Sequence, residues 1–365
     1  MKDFSAAASD FAMPMSGDPL VSFIVPTLNR GSYVVRAVAS CLRAQACATD
    51  VAAEVIVIDS QSDDGSWEML VERYGQDPRV RLLQNKRGLG PTRSWLDGVS
   101  VARGEYMTFV WSDDYISPRF LSVLLPLLQE GTQLAIGSGV IRDVDDGRDL
   151  PVDPAGTDLE SEAFMIGYFP GVVRDGVQRS VSPVCAVFKR PCFERWVEVL
   201  ENWCTASPLR QQVMWQRAIG PDLLLYLVAA SMSSTIPTSR ECVAQFSSHK
   251  GSITVSSSAW LLRVGYWLAR LWVLENDGVE LPVTRKGFAK MVASSLVEGL
   301  MLALTTPNNL TWLGNSAQLR RAVLAESAEV LRTVRARAAV GAVVLAGGEV
   351  VARGFASRLK SFSNR

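Results

Sequence analysis

The chain has one histidine, no net charge and no basic segment ahead of an apolar run, and each scarcity removes a class of function. Lys and Arg together number 37, as do Asp and Glu, so no global field draws the protein to nucleic acid or to an anionic membrane. Any polyanion site must be local. The six cysteines, Cys41, Cys47, Cys185, Cys192, Cys204 and Cys242, contain no CxxC pair and no zinc-like spacing with His249. They fit reduced thiols in a cytoplasmic protein, with a peripheral place at the inner membrane face as the one extension. Met1 to Pro19 lacks the pattern of a secretory signal and is expected to be a flexible tail. The longest apolar stretches, Ser294 to Leu304 and Ala338 to Gly347, fall short of the roughly 20 residues that cross a bilayer, so no transmembrane helix is expected.

What is present is a 365-residue chain, 48% hydrophobic and 20% charged, enough for one large core or two ordinary ones. From Leu20 to about Asp114 short apolar runs alternate with helix-like segments, the pattern of βαβ units on a mainly parallel sheet. Strands are predicted at Val21 to Val25, stopped by Pro26, then at Glu54 to Ile58, Arg79 to Leu83 and Tyr106 to Trp111. Helices are predicted at Tyr33 to Ala44, Trp67 to Tyr74 and Pro91 to Ala102. Further strands are expected at Gln133 to Ser138 and Ser182 to Phe188, in a Gly-, Pro- and Asp-rich region suited to an acceptor. From Ala259 the pattern is helical. The division expected is a tail over 1–19, an α/β domain over 20–255 and a helical region over 256–365.

Ligands of such sheets bind at the carboxyl ends of the strands, and three loops there are polar. Asp59 follows a buried strand and can accept from the N–H of a nucleobase, while Asp64 and Ser66 suit the cap of the next helix. Asp113 and Asp114 stand side by side after an apolar strand, where two carboxylates repel unless a cation or a donor compensates them. Oxygen ligands of this kind suit Mg²⁺ or Mn²⁺, although a solvated turn ahead of a helix has the same residues. His249 lies in a polar loop beside Lys250 and Gly251, where an imidazole can ligate a metal and backbone N–H groups can meet phosphate.

Taken in order, these segments resemble the inverting family 2 glycosyltransferases with the GT-A fold, over the first 255 residues. The resemblance is carried by Val25-Pro26-Thr27-Leu28-Asn29-Arg30, Val57 to Ser66, Asn85 to Arg93, Ala102 to Tyr106, Trp111-Ser112-Asp113-Asp114, Gly220-Pro221-Asp222-Leu223 and His249 to Thr254. It implies that Pro26, Thr27, Asn29, Arg30, Asp59, Arg93 and Asp113 contact the nucleotide sugar, with Thr27 and Asp59 at the base. It implies further that Asp114 and His249 hold Mn²⁺ or Mg²⁺, and that Asp222 takes the proton from the acceptor hydroxyl. The donor it favours is a UDP-sugar, and the acceptor a saccharide or lipid-linked saccharide in bacterial polysaccharide or glycolipid synthesis. No nucleic-acid partner is implied.

Two positions depart from the pattern. Trp111 stands where many relatives carry the first acid of a DXD motif, and Pro221 where many carry an acid before the base. Glu194 and Glu201 upstream are alternative bases, and a helix N-cap is the structural alternative for Asp222. A nucleotide-binding protein without catalysis is the second reading, favoured by Trp111. A sugar nucleotidyltransferase ranks below it, because Pro26 to Gly31 is not the glycine-rich basic loop that a triphosphate requires. The stripe Trp260, Trp267, Leu268, Leu271 and Trp272 either packs on the catalytic domain, or forms a homodimer or membrane-surface contact aided by Arg263, Arg270, Arg320, Arg321, Arg332, Arg335, Arg337 and Lys360.

Overall fold

A computed structural model describes residues 20–85, 88, 90–152, 158–172, 181–276, 283–308 and 315–337. The expected tail 1–19, Lys86, Arg87 and Leu89 of the turn before Arg93, the stretch Ala338 to Gly347, Lys360 and the side chains of Arg335 and Arg337 lie outside the described residues.

The first half alternates strand and helix: β1 (Leu20–Thr27), α1 (Ser32–Ala46), β2 (Ala52–Asp59), α2 (Ser66–Tyr74), β3 (Val80–Gln84), α3 (Pro91–Val101) and β4 (Tyr106–Phe109). These four strands pair in parallel in the order β3-β2-β1-β4. Both faces of β1 and β2 are buried, which accounts for their near-continuous apolar runs. α3 lies close on them, because a Cβ on Gly98 would stand 2.4 Å from Ile24 Cγ2.

Pro26 does not stop β1 as the sequence suggested; the strand runs on to Thr27, paired with Asp59. Ile24 points its carbonyl to the β4 side, where Val110 N–H donates to it, and Thr27 points its carbonyl to the β2 side, where it meets Ser60 N–H. Pro26, two residues after Ile24, therefore turns its missing N–H to the β4 side, where pairing ends at Phe109, while the β2 side of the ladder continues to Thr27 and Asp59.

Beyond β4 come β5 (Tyr115–Ile116), α4 (Phe120–Leu124), β6 (Leu134–Asp143), β7 (Asp149–Val152), β8 (Leu159–Glu160), α5 (Ser161–Ile166), β9 (Ala186–Lys189), α6 (Arg190–Val199), α7 (Pro208–Arg210), α8 (Pro221–Ser231), β10 (Thr235–Ile236) and β11 (Thr238–Ser248). The large sheet continues β4-β9-β6-β11-β5 and is mixed there, with β9 antiparallel to both β4 and β6 and β11 parallel to β6. Two successive reversals return β6 and β11 to the direction of β1, so the carboxyl ends of β1, β2, β4 and β11 share one edge. At the opposite end Glu54 is a structural anchor: it accepts from Ser22 Oγ and Arg103 N at 2.7 Å each, and pairs with Arg81 at 3.1 Å.

The last described elements are α9 (Ile253–Ser256), α10 (Ala259–Glu275), α11 (Arg285–Leu304) and α12 (Ser316–Arg337). Trp260, Trp267, Leu268, Leu271 and Trp272 are buried in the core that also holds the sheet. Trp267 Nε1 donates to Ser295 O at 3.0 Å and Trp260 Nε1 to Leu302 O at 3.2 Å, so the stripe packs inward on α11. Arg270, which flanks the stripe, is buried and paired with Glu298, which removes it from the alternative membrane-surface contact.

The apolar segment around Ser294 to Leu304 belongs to a longer helix than its hydropathy suggested. Among the described residues α11 is the one helix long and apolar enough to cross a membrane by length and composition, and half of its apolar window is buried inside the protein. A second buried polar centre ties the helices together. Arg210 bridges Glu275 of α10 at 2.8 Å and Glu326 of α12 at 2.5 Å, with its guanidinium 4.0 Å over the Trp203 ring.

Candidate active site

The loops after β1 and β2 are knitted to each other. Asn29 adopts a left-handed conformation (φ 52°), accepts Asp63 N–H on Oδ1 at 2.9 Å and donates Nδ2 to Asp63 Oδ1 at 2.8 Å. Gly31 N–H reaches Ser66 Oγ at 2.7 Å and Asp64 Oδ2 at 3.0 Å, and Arg30 N–H reaches Ser66 Oγ at 3.1 Å. Asp64 and Ser66 therefore hold the β1 loop as well as the start of α2. This cross-bracing positions Thr27 and Asp59, adjacent residues on neighbouring strands.

Asp59 is fully buried and accepts from Ser62 N–H and Gln84 Nε2, each at 3.0 Å. Thr27 Oγ1 is buried with no partner among the described residues, a costly state for a hydroxyl unless a ligand meets it. Arg93 sits half-exposed on α3, paired with Asp97 at 2.8 Å.

At the end of β4, Asp113 and His249 meet. Asp113 Oδ2 lies 2.9 Å from His249 Nε2 and 3.6 Å from Arg30 Nε. Gly251 N–H donates to His249 Nδ1 at 3.1 Å, which places the ring proton on Nε2, directed at Asp113. Tyr33 of α1 stacks on the imidazole, with centroids 5.3 Å apart and planes 11° from parallel. Asp114 is turned away from this pair: its Oδ1 accepts Ser247 N–H of β11 at 2.7 Å. Burial, reinforced by the charge of Asp113, pushes the Asp114 carboxyl well above the usual carboxylate range.

Arg36, which sequence reasoning missed, spans this junction. It donates to Asp113 O at 2.8 Å and Ser247 Oγ at 3.0 Å, and lies over the Tyr33 and Tyr115 rings. Its position one helical turn after Tyr33 was the available signal, because residues three apart share a helix face. Trp111, the residue in place of an acid, is an aromatic strut: it packs 4.5 Å from Trp95, and its Nε1 donates to Ser182 Oγ at 3.0 Å.

Asp222 occupies the first turn of α8, just inside the N-cap Gly220, whose φ of 104° suits only glycine. It is not itself the N-cap. Desolvation pushes its carboxyl up to about 7, against the lowering effect of hydrogen bonds from Leu223 N–H and the Tyr266 hydroxyl. Glu194 and Glu201, the other candidate bases, are both exposed. The two sides of the site are linked through one loop, because Ser182 accepts from Trp111 on its hydroxyl and from Tyr226 of α8 on its carbonyl at 2.9 Å.

Residues 22–196 match the family described as Glycosyl transferase family 2. This stretch, a little under half of the chain, is similar to family 2 glycosyltransferases. It is 35% identical over 129 residues to glycosyltransferase GlyG of Streptococcus pneumoniae, covering 35% of this chain and 42% of that one. It is 33% identical over 128 residues to chondroitin synthase of Escherichia coli, covering 35% of this chain and 18% of that one. The chain thus spans less than half the length of these curated relatives. Among solved structures, Staphylococcus aureus TarS 1–349 in complex with UDP-GlcNAc aligns at a TM-score of 0.55 and 17% identity, over 86% of this chain and 90% of that one. The described residues therefore have the GT-A fold, with a helical carboxyl-terminal region.

Proposed function

We propose that the protein transfers a sugar from a nucleoside-diphosphate sugar, with UDP-sugars favoured, to an acceptor hydroxyl with inversion at the anomeric carbon, in bacterial polysaccharide or glycolipid synthesis. The observation that carries this reading is the meeting of Asp113, His249 and Arg30 at the strand edge that also holds Asp59 and the partnerless Thr27 hydroxyl.

Thr27 and Asp59 are suited to a nucleobase, since Asp59 retains acceptor capacity beyond Ser62 and Gln84 and Thr27 has a free hydroxyl. Pro26, Asn29 and Arg30 shape the loop beside it. Arg30 and Arg93 supply positive charge for ribose or diphosphate.

The donor set fits a divalent ion. Two ligands about 2.1 Å from an octahedral ion stand about 3 Å apart, and Asp113 Oδ2 and His249 Nε2 are 2.9 Å apart. Among the described residues no group of three His, Cys, Asp or Glu side chains is arranged to hold a metal, so diphosphate oxygens and water would have to supply the other positions. We assign Asp113 and His249 to Mn²⁺ or Mg²⁺; ligation by His249 requires its ring proton to leave Nε2 for Nδ1, which gives up the Gly251 N–H contact, and Asp114, whose Oδ1 holds Ser247 N–H of β11, stands beside them. When bound, such an ion acts as a Lewis acid on the leaving diphosphate.

Asp222 then takes the acceptor hydroxyl proton as that oxygen bonds to the anomeric carbon and the carbon–oxygen bond to the diphosphate breaks on the opposite face. A carboxyl whose midpoint lies at about 7 is matched to this work at neutral pH. The test is incubation with UDP- and GDP-sugars in Mn²⁺, reading products and anomeric configuration by NMR. Inverted product and nucleoside diphosphate are expected. Binding without turnover supports a non-catalytic nucleotide-binding protein, and pyrophosphate release supports a nucleotidyltransferase.

A further inference from the structure

The family 2 match ends at residue 196, yet the group that touches Asp222 comes from far beyond it. Tyr266 is on α10, and its hydroxyl faces the Asp222 carboxyl, each group shifting the proton affinity of the other. The contact depends on a close crossing of two helices. A Cβ on Gly220 would stand 2.4 Å from Gly265 O, and a Cβ on Gly265 would stand 2.4 Å from Ile219 Cγ2 and 2.5 Å from Ile219 O. Both positions must be glycine for the backbones to meet, and the two glycines flank the pair: Gly265 directly precedes Tyr266, and Gly220 lies two residues before Asp222. From the α6 side, Trp196 Nε1 donates to Pro221 O at 2.8 Å and fixes the same turn.

We infer that Tyr266 is a positioning residue for the reaction, orienting the Asp222 carboxylate toward the acceptor, so that α10 of the carboxyl-terminal region completes the active site of the family 2-like stretch. This rests on Asp222 being the base. A carboxylate at a helix start can rotate about its side chain; Leu223 N–H holds Oδ1 at 2.8 Å and the Tyr266 hydroxyl adds a second restraint, leaving the remaining lone pairs for the acceptor hydroxyl. The hydroxyl also favours the ionised form, which has to be present for proton abstraction. Mutual influence runs both ways: the charge of Asp222, then burial, raises the Tyr266 phenol far above its ordinary range, so Tyr266 stays a donor at every working pH. The charged groups of the neighbouring elements are engaged elsewhere or exposed. Arg195 of α6 pairs with Glu198, Arg270 of α10 with Glu298, and Arg263 is exposed.

The test is carboxyl NMR on the full chain carrying ¹³C-labelled aspartate, with the Asp222 signal assigned by its loss in Asp222→Asn. In the parent the signal should titrate near 7. In Tyr266→Phe, which keeps the ring, the midpoint should rise by about one pH unit, the effect of one charge-assisted hydrogen bond, and the acid limb of nucleotide-sugar turnover should move with it. An unchanged midpoint in folded Tyr266→Phe overturns the inference. Should that variant not fold, 3-fluorotyrosine in the unsubstituted sequence gives the second measurement. One tyrosine resonance must step at the Asp222 midpoint and lose the step in Asp222→Asn; a chain in which none does so overturns it equally. Full turnover by Asp222→Asn would instead remove the base assignment, leaving the Tyr266 contact to be judged by NMR alone.

Discussion

His249 Nε2 and Asp113 Oδ2 stand 2.9 Å apart although 136 residues separate them in the chain, and the ring is held there by Tyr33 on one face and by Gly251 N–H on Nδ1. Three elements thus converge on one imidazole: β4 brings the carboxylate, the loop after β11 the ring, and α1 the stacking tyrosine. His249→Ala should lower Mn²⁺-dependent transfer on the order of 100-fold, while circular dichroism shows the fold unchanged. Tyr33→Leu should have a smaller effect, expressed as a higher Mn²⁺ concentration for half-activation. Equal Mn²⁺ response in parent and His249→Ala would remove this histidine from the site.

Asp222 supplies a pH dependence with a defined sign. As the proposed base, Asp222 must be ionised, so kcat/KM should fall about tenfold per pH unit on the acid side of the midpoint at about 7. The folded-state value lies above the ordinary carboxyl value of 3.8, so the folded chain binds a proton more tightly than the unfolded one. Stability from this group is complete below 3.8 and is lost as pH rises through about 7. Asp222→Asn should accordingly be inactive, with a higher Tm than the parent at pH 8 and a similar Tm at pH 4. A lower Tm at pH 8 would contradict the desolvated carboxylate.

The Arg210 centre tests what holds the carboxyl-terminal helices. One guanidinium serves Glu275 and Glu326, and Trp203 Nε1 donates to Glu275 at 2.8 Å, so removing the cation leaves two buried carboxylates facing each other. Arg210→Met should cost about 3–5 kcal/mol in urea unfolding. The triple change Arg210→Met, Glu275→Gln, Glu326→Gln should recover part of that loss, because no charge is then stranded. A single variant as stable as the parent would show that the ion pairs are not what fastens α10 to α12.

The strands β1 to β4 and the polar loops at their ends are legible in the sequence because each strand is a short apolar run and each loop follows it directly. Pro26 misled because its missing N–H faces only the β4 side, so β1 stays paired with β2 through Thr27. The pairing of β6, β9 and β11 is not legible, since it joins segments up to a hundred residues apart whose alternation alone does not fix a partner. The adjacent aspartates could be read from the sequence, but not that Asp114 turns to Ser247 N–H while Asp113 takes His249. Tyr266 was hidden for a similar reason: its role depends on the crossing of Gly220 and Gly265, which no local pattern announces.

The central claim is that Asp59, Asp113 and His249 enclose a metal-bound nucleoside diphosphate, and thermal unfolding with a panel of UDP- and GDP-sugars, each in Mn²⁺ and in EDTA, tests it most directly. A ligand that binds only the folded chain raises its apparent stability. The account predicts a rise in Tm for at least one nucleotide sugar in Mn²⁺, lost in EDTA and in Asp113→Ala. No rise for any member of the panel in the folded parent protein would contradict it.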